Sequence, residues 1–195
     1  GKYVLSIQGL ISECAKYYLA GMSTKDVIKN ITLRDILRFD NLFQAQNQFY
    51  KRGLVELEYF RKVNAVIGRT DWDKAHAWAL NPDIKYYFCN ESLRPEFYTG
   101  EEWSYDKCQK HSIFLSQANY PLKGLHQVLK AAAILKNEFP DLKIYVAGNK
   151  ICGDGSFKSK LKISGYGRYI RSLIDEFDLE NNIEFLGTLS AEQMK

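Results

Sequence analysis

Apolar positions recur along this chain with two different periods, and the change of period marks its elements. The clearest stretch is Ser112–Gly148. Ser112-Ile113-Phe114-Leu115 reads as a buried strand, and Gln117 to Gly124 reads as a loop. Leu125, Val128, Leu129, Ala132, Leu135 and Phe139 then recur at helical spacing with Lys and Glu opposite, which predicts a helix over about 125–139. Pro140-Asp141 stops it, and Lys143-Ile144-Tyr145-Val146-Ala147-Gly148 is a second buried run. Strand, crossover helix and strand predict a right-handed βαβ unit. The loop after its first strand lies on the edge where open α/β sheets bind ligands.

Weaker signals extend the pattern in both directions. Tyr3–Ile7 is strand-like, Gln8-Gly9-Leu10 turns off its end, and Ile11–Leu19 has helical spacing. Ser23 with Asp26, Thr32 with Asp35 and Thr70 with Asp73 each place a hydroxyl three residues before an acid, the signature of a helix start. Further helices are predicted before Asp40, through Phe43–Lys51 and over Leu54–Val63. Val63–Gly68 and Lys85–Asn90 read as strands, with a helix to Leu80 between them and Trp72 and Trp78 as packing residues. Glu96–Lys110 has no strong period and reads as a connection between domains. Gly165-Tyr166-Gly167-Arg168 opens a helix through Asp178, Ile183–Gly187 is a strand, and Ser190-Ala191-Glu192-Gln193 starts another helix. The expected class is α/β with parallel sheets.

Composition narrows the partners. With 195 residues, 46% hydrophobic and 26% charged, the chain has room for one large domain or two small ones. No apolar run approaches transmembrane length and no signal-peptide pattern opens the chain. The four cysteines are scattered, with Cys14 and Cys89 in apolar patterns that suit buried, reduced thiols of a cytosolic protein. His76, His111 and His126 lack ligand spacing, so neither a metal nor another cofactor is expected. A net charge of +4 is partly concentrated in Lys158, Lys160, Lys162, Arg168 and Arg171. This suits a solvated face, or attraction to anionic substrates or an anionic membrane surface; no nucleic-acid motif accompanies it. Phe39, Leu42, Phe43 and Phe49 suit either a core or a surface that meets a membrane or a lipid-linked acceptor.

Candidate chemistry gathers at the ends of the predicted strands. Lys123 stands beside Gly124 at a helix start, where free amides and an ammonium suit a phosphate. Gly148 closes the next strand. Arg69 follows the strand ending at Gly68, placed either to pair with a phosphate or acidic acceptor or to bridge to Asp71 or Asp73. Gln8 offers an amide to a hydroxyl or phosphate oxygen, and Gly9 marks a tight turn or close backbone approach. Gly153 and Gly155, with the neighbouring lysines, are further candidates for phosphate approach.

Lys123-Gly124 between a strand and a long amphipathic helix, followed by a strand ending in Gly148, resembles the start of the C-terminal domain of family 4 (group 1) glycosyltransferases. Ile183-Glu184-Phe185-Leu186-Gly187 is similar to that family's next strand. Val66-Ile67-Gly68-Arg69-Thr70 and Tyr86-Tyr87-Phe88-Cys89-Asn90-Glu91 extend the resemblance backward. It implies a GT-B fold, parts of two Rossmann-like domains with parallel sheets: residues 1–93 as the later part of the acceptor-side domain, 94–110 as the linker and 111–195 as the first part of the nucleotide-sugar domain. It also implies a retaining transfer of a sugar from a nucleotide diphosphate donor to a saccharide or lipid-linked acceptor, in surface polysaccharide or glycolipid synthesis. Lys123 would be the catalytic electrostatic stabiliser, with Gln8, Gly9, Arg69, Gly124 and Gly148 in substrate binding.

Two positions depart from that family. Gln8 stands where a histidine is common, and Ala118 stands five residues before Lys123, where an arginine is usual. The first strands of the N-terminal domain and a pair of downstream glutamates lie outside the sequence, so the chain reads as a central fragment, inactive by itself, of a cytoplasmic enzyme. Peripheral contact with the inner face of a membrane and self-association stay open. Two rivals remain: a non-catalytic nucleotide-binding module of the same fold, and a basic interaction domain.

Overall fold

The computed structural model describes residues 3–153, 156 and 161–194. In chain order its regular elements are β1 (Val4–Ser6), α1 (Ile11–Lys16), α2 (Thr24–Lys29), α3 (Leu33–Arg38), α4 (Leu42–Lys62), β2 (Ala65–Gly68), α5 (Asp71–Leu80), β3 (Lys85–Phe88), β4 (Ser112–Leu115), α6 (Leu125–Leu135), β5 (Lys143–Ala147), α7 (Gly165–Glu176), β6 (Ile183–Gly187) and α8 (Ala191–Met194). Two parallel three-stranded sheets result, ordered β1-β2-β3 and β4-β5-β6, which is the expected α/β class. Gly155, Lys158 and Lys160 lie outside the described residues.

Contacts divide the chain into two units. The first comprises 1–18 and 43–92, around a core of Ile7, Leu10, Phe60, Val66, Ala77 and Ile84. The sequence predicts two helices over Phe43–Val63, yet α4 runs unbroken for 21 residues through Gly53. Gly53 does not end the helix; it admits α1. A methyl group there would lie 2.7 Å from Ser12 Cα, closer than real contacts allow. Across the same junction the Glu56 carboxylate accepts the amides of Ile11 at 3.0 Å and Ser12 at 2.8 Å, capping α1 from outside. The capping box of Thr70 and Asp73 forms as the spacing predicts. Trp72, Trp78 and Cys89 are exposed instead of buried, because β3 is an edge strand that leaves its neighbourhood open.

The second unit comprises 19–42 and 93–195. Its core faces are regular: α7 buries Tyr166, Tyr169, Ile170, Leu173 and Ile174, at helical spacing, and α6 buries Leu125, Leu129 and Ala132. Ile144 and Val146 of β5 are fully covered. Burying each large aliphatic side chain contributes about 1.5–3 kcal/mol. The expected boundary at 93 put 19–42 in the first domain; its contacts put it, and the expected linker 94–110, with the second. The cause is a set of polar ties that the chain order does not reveal. The Ala20 carbonyl accepts from Gln127 Nε2 at 2.7 Å and lies 2.9 Å from His126 Nε2. The Thr32 hydroxyl donates to the Ile163 carbonyl at 3.0 Å.

His126 is fully buried. With Nε2 donating to Ala20, its Nδ1 accepts from the Tyr166 hydroxyl at 3.1 Å. Burial holds its pKa below the usual histidine value, and the same burial raises that of Tyr166. A histidine kept neutral when folded and free to protonate at about 6.5 when unfolded stabilises the chain above that pH. That stability is lost as pH falls from about 6.5 towards the folded value, at up to about 1.4 kcal/mol per pH unit. Urea unfolding from pH 7.5 to 5 is expected to show this slope in the native chain. In His126→Asn, which cannot titrate there, the slope is expected to be smaller at lower overall stability.

Candidate functional site

In the second unit the three strands end together. β4 runs into Ser116–Tyr120, a tight turn over Pro121–Lys123 follows, and Gly124 (φ +78°) leads into α6. β5 ends at Gly148 (φ +95°), whose amide donates to the carbonyl of Gly187 (φ +75°) at 2.7 Å, joining the ends of β5 and β6. These ends enclose a cleft of about 250 Å³ lined by Ser116, Gln117, Asn119, Tyr120, Gly148, Asn149 and Thr188, with Ala118 and Ala147 beside them. The lining is neutral and rich in hydrogen-bonding groups. Gly124, Gly148 and Gly187 all face open space, so their backbones can be approached closely.

Lys123 is exposed and does not line the cleft; its Nζ lies 5.5 Å from the ring centre of Tyr120, which does. No carboxylate among the described residues pairs with it. No side chain caps α6, whose first-turn amides lack intrahelical partners as in any helix. An unpaired cation, an uncapped eleven-residue helix and a polar cleft thus meet at one sheet edge. Ala118, five residues before Lys123, is buried.

Gln8, Gly9 and Arg69 meet at the corresponding edge of the first unit. Arg69 donates to the Gln8 carbonyl and pairs with Glu91 at 3.1 Å. Asp73, one of the two bridging partners weighed from sequence, instead accepts the Arg69 backbone amide at 3.1 Å as part of the α5 cap. Gln8 and Gly9 border a larger groove of about 590 Å³, walled by Leu5, Ile7, Ile11 and Val55 with Arg52 and Tyr59.

The Gly165-x-Gly167 pair serves the chain itself, not a ligand. A methyl on Gly165 would lie 2.8 Å from Asp35 Oδ2, and one on Gly167 would lie 2.1 Å from the Ile151 carbonyl oxygen. Two of the basic residues nearby are also engaged: Arg168 reaches the Ile31 carbonyl, and Arg171 pairs with Asp175 and Glu180, while Lys162 is exposed. Sequence reading overlooked Asn119, Asn149 and Thr188 in the cleft. The available signal was positional, since each follows a strand end. No helix among the described residues is long and apolar enough to cross a membrane.

Residues 101–195 match the family model of glycosyl transferases group 1. No curated protein matches the chain. The match contains the cleft, Lys123, Gly124 and Gly148; Gln8, Gly9 and Arg69 fall outside it.

Proposed function

We propose that the cleft beside Lys123 holds a nucleotide diphosphate sugar for transfer to an acceptor hydroxyl, a reading supported by the match of residues 101–195 to the group 1 glycosyltransferase model and by the Rossmann-like parallel sheet. One observation carries this reading: the exposed ammonium of Lys123, unpaired among the described residues, stands at the uncapped start of α6 beside a polar cleft. As the bond to the sugar breaks, negative charge grows on the departing diphosphate. The ammonium and the first amides of α6 stabilise it there, and no metal is drawn upon.

Gly124 and Gly148, without side chains and facing open space, admit phosphate oxygens to the backbone. Asn119, Asn149 and Thr188 supply neutral partners for hydroxyl or base groups. Within the first unit, Gln8 and Gly9 are assigned to binding a sugar or acceptor, and Arg69, anchored on Glu91, holds the carbonyl of Gln8 in place. No side chain is assigned as a nucleophile. The transfer retains anomeric configuration and serves surface polysaccharide or glycolipid synthesis.

Ala118 and Gln8 favour a second reading, a module that binds the nucleotide without transferring a sugar. Two measurements on the full-length protein decide between them: calorimetric titration with nucleoside diphosphates, and nucleoside diphosphate release from a panel of nucleotide sugars with saccharide and lipid-linked acceptors. Binding with acceptor-dependent release is expected. Binding without release or hydrolysis from any donor supports the module, and no binding removes both readings.

A further inference from the structure

Helix α3 is built inside out. Its one fully buried side chain is the carboxylate Asp35, while Leu33, Ile36 and Leu37, which share a face at i, i+3 and i+4, point to solvent. Ile28 at the end of α2 and Phe39 at the end of α3 are exposed as well, and all five side chains are between 58% and 75% accessible. Single exposed apolar residues are ordinary, but five within twelve positions are not. Asp35 explains the inversion from within: it closes the capping box with Thr32, lies 3.1 Å from Arg34 and abuts the start of α7 at Gly165.

Phe39 adds a second, independent observation. It occupies the left-handed region at φ +52°, in the position closing α3 where glycine is usual. A bulky residue is strained there, and this one covers no core. The strain therefore serves to display an aromatic ring.

The charges around this face decide its partner. Lys25, Lys29 and Arg38 are exposed, while the acids alongside are engaged: Asp26 with the Ser23 hydroxyl, and Asp40 with Arg34 at 2.9 Å. A second copy would bring like-charged rims together, and five side chains fall far short of the roughly 20–30 residues a side of a stable dimer. A lipid surface needs no shape match, accepts aliphatic and aromatic side chains at its interface and, when anionic, attracts the cations.

We propose that the α2–α3 face, with Leu33, Ile36, Leu37 and Phe39 as the inserting residues and Lys25, Lys29 and Arg38 as the rim, docks the protein on an anionic lipid bilayer. Docking here is independent of what Lys123 binds.

Co-sedimentation of the full chain with phosphatidylcholine vesicles, with and without phosphatidylglycerol, tests it. The native chain is expected to partition onto the anionic vesicles and much less onto the neutral ones. Replacing Lys25, Lys29 or Arg38 by Gln lowers anionic partition about fivefold for each cation removed. Joint replacement of Leu33, Ile36 and Leu37 by Ser abolishes partition with the circular dichroism unchanged. Phe39→Gly weakens partition yet raises the melting temperature, because glycine relieves the backbone strain, which a merely structural phenylalanine would not show. Equal pelleting of native chain and variants, no preference for anionic vesicles, or a dimer in light scattering that the Ser variant dissolves would each overturn the proposal.

Discussion

Lys123→Ala is expected to lower kcat of sugar transfer by about 10²–10³-fold, the usual cost of deleting one preorganised group that meets transition-state charge. The fold should not notice the change. Lys123 is exposed and its described contact is with the ring of Tyr120, so melting temperature and circular dichroism should match the native protein. Charge on the diphosphate grows during bond breaking, so the loss should fall more on kcat than on donor affinity. Lys123→Arg, which keeps the cation but changes its reach, should recover part of the rate. Steady-state release of nucleoside diphosphate under donor saturation measures all three. A variant lacking the amine but turning over at the native rate would remove Lys123 from the chemistry.

Gly167→Ala is expected to give the largest loss of stability from a single methyl group. Within a helix, this exchange ordinarily stabilises by close to about 1 kcal/mol. Here the new carbon would sit 2.1 Å from the Ile151 carbonyl oxygen and 3.0 Å from Ile163 Cγ1. Backbone cannot swing aside as a side-chain tip can, so either α7 or the strand of chain at Ile151 must shift. Overpacking of this kind costs about 1–3 kcal/mol and sometimes more, a fall of roughly 3–10 °C in melting temperature at this size. Gly9→Ala, where nothing lies within 4 Å, provides the comparison and should melt close to the native chain. Equal melting of both variants would mean that the contact at Ile151 is looser than drawn.

Much of this architecture was legible because it is local. The hydroxyl–acid pairs Thr32/Asp35 and Thr70/Asp73 close as capping boxes, and the strand–helix–strand run from Ser112 sits where its periodicity places it. What resisted reading depends on partners distant in sequence. Gly53 looks like a helix break until Ser12 is seen against it, and the two glycines opening α7, Gly165 and Gly167, have no evident reason until Asp35 and Ile151 are found occupying the space. Trp72 and Trp78 carry every compositional sign of core, but the edge position of β3 leaves them exposed.

The candidate site shows the same division. Gly148 and the loop after β4 follow from the rule that parallel sheets bind at their carboxyl ends. That Lys123 stands beside the cleft, stacked near Tyr120, does not follow from it. Nor could sequence pair Arg69 with Glu91, since each has opposite charges much nearer along the chain, Asp71 and Asp73 for Arg69 and Arg94 for Glu91.

The union of 19–42 with 93–195 has a consequence for biosynthesis. Residues 19–42 leave the ribosome long before α6 and α7 exist, so the seats for Ala20, Thr32 and Asp35 are missing when those residues emerge. This early stretch must wait, with Met22 and Val27 uncovered, for a late one. A nascent chain arrested before Glu176 should therefore engage chaperones, and no cut at one peptide bond can release the second unit whole.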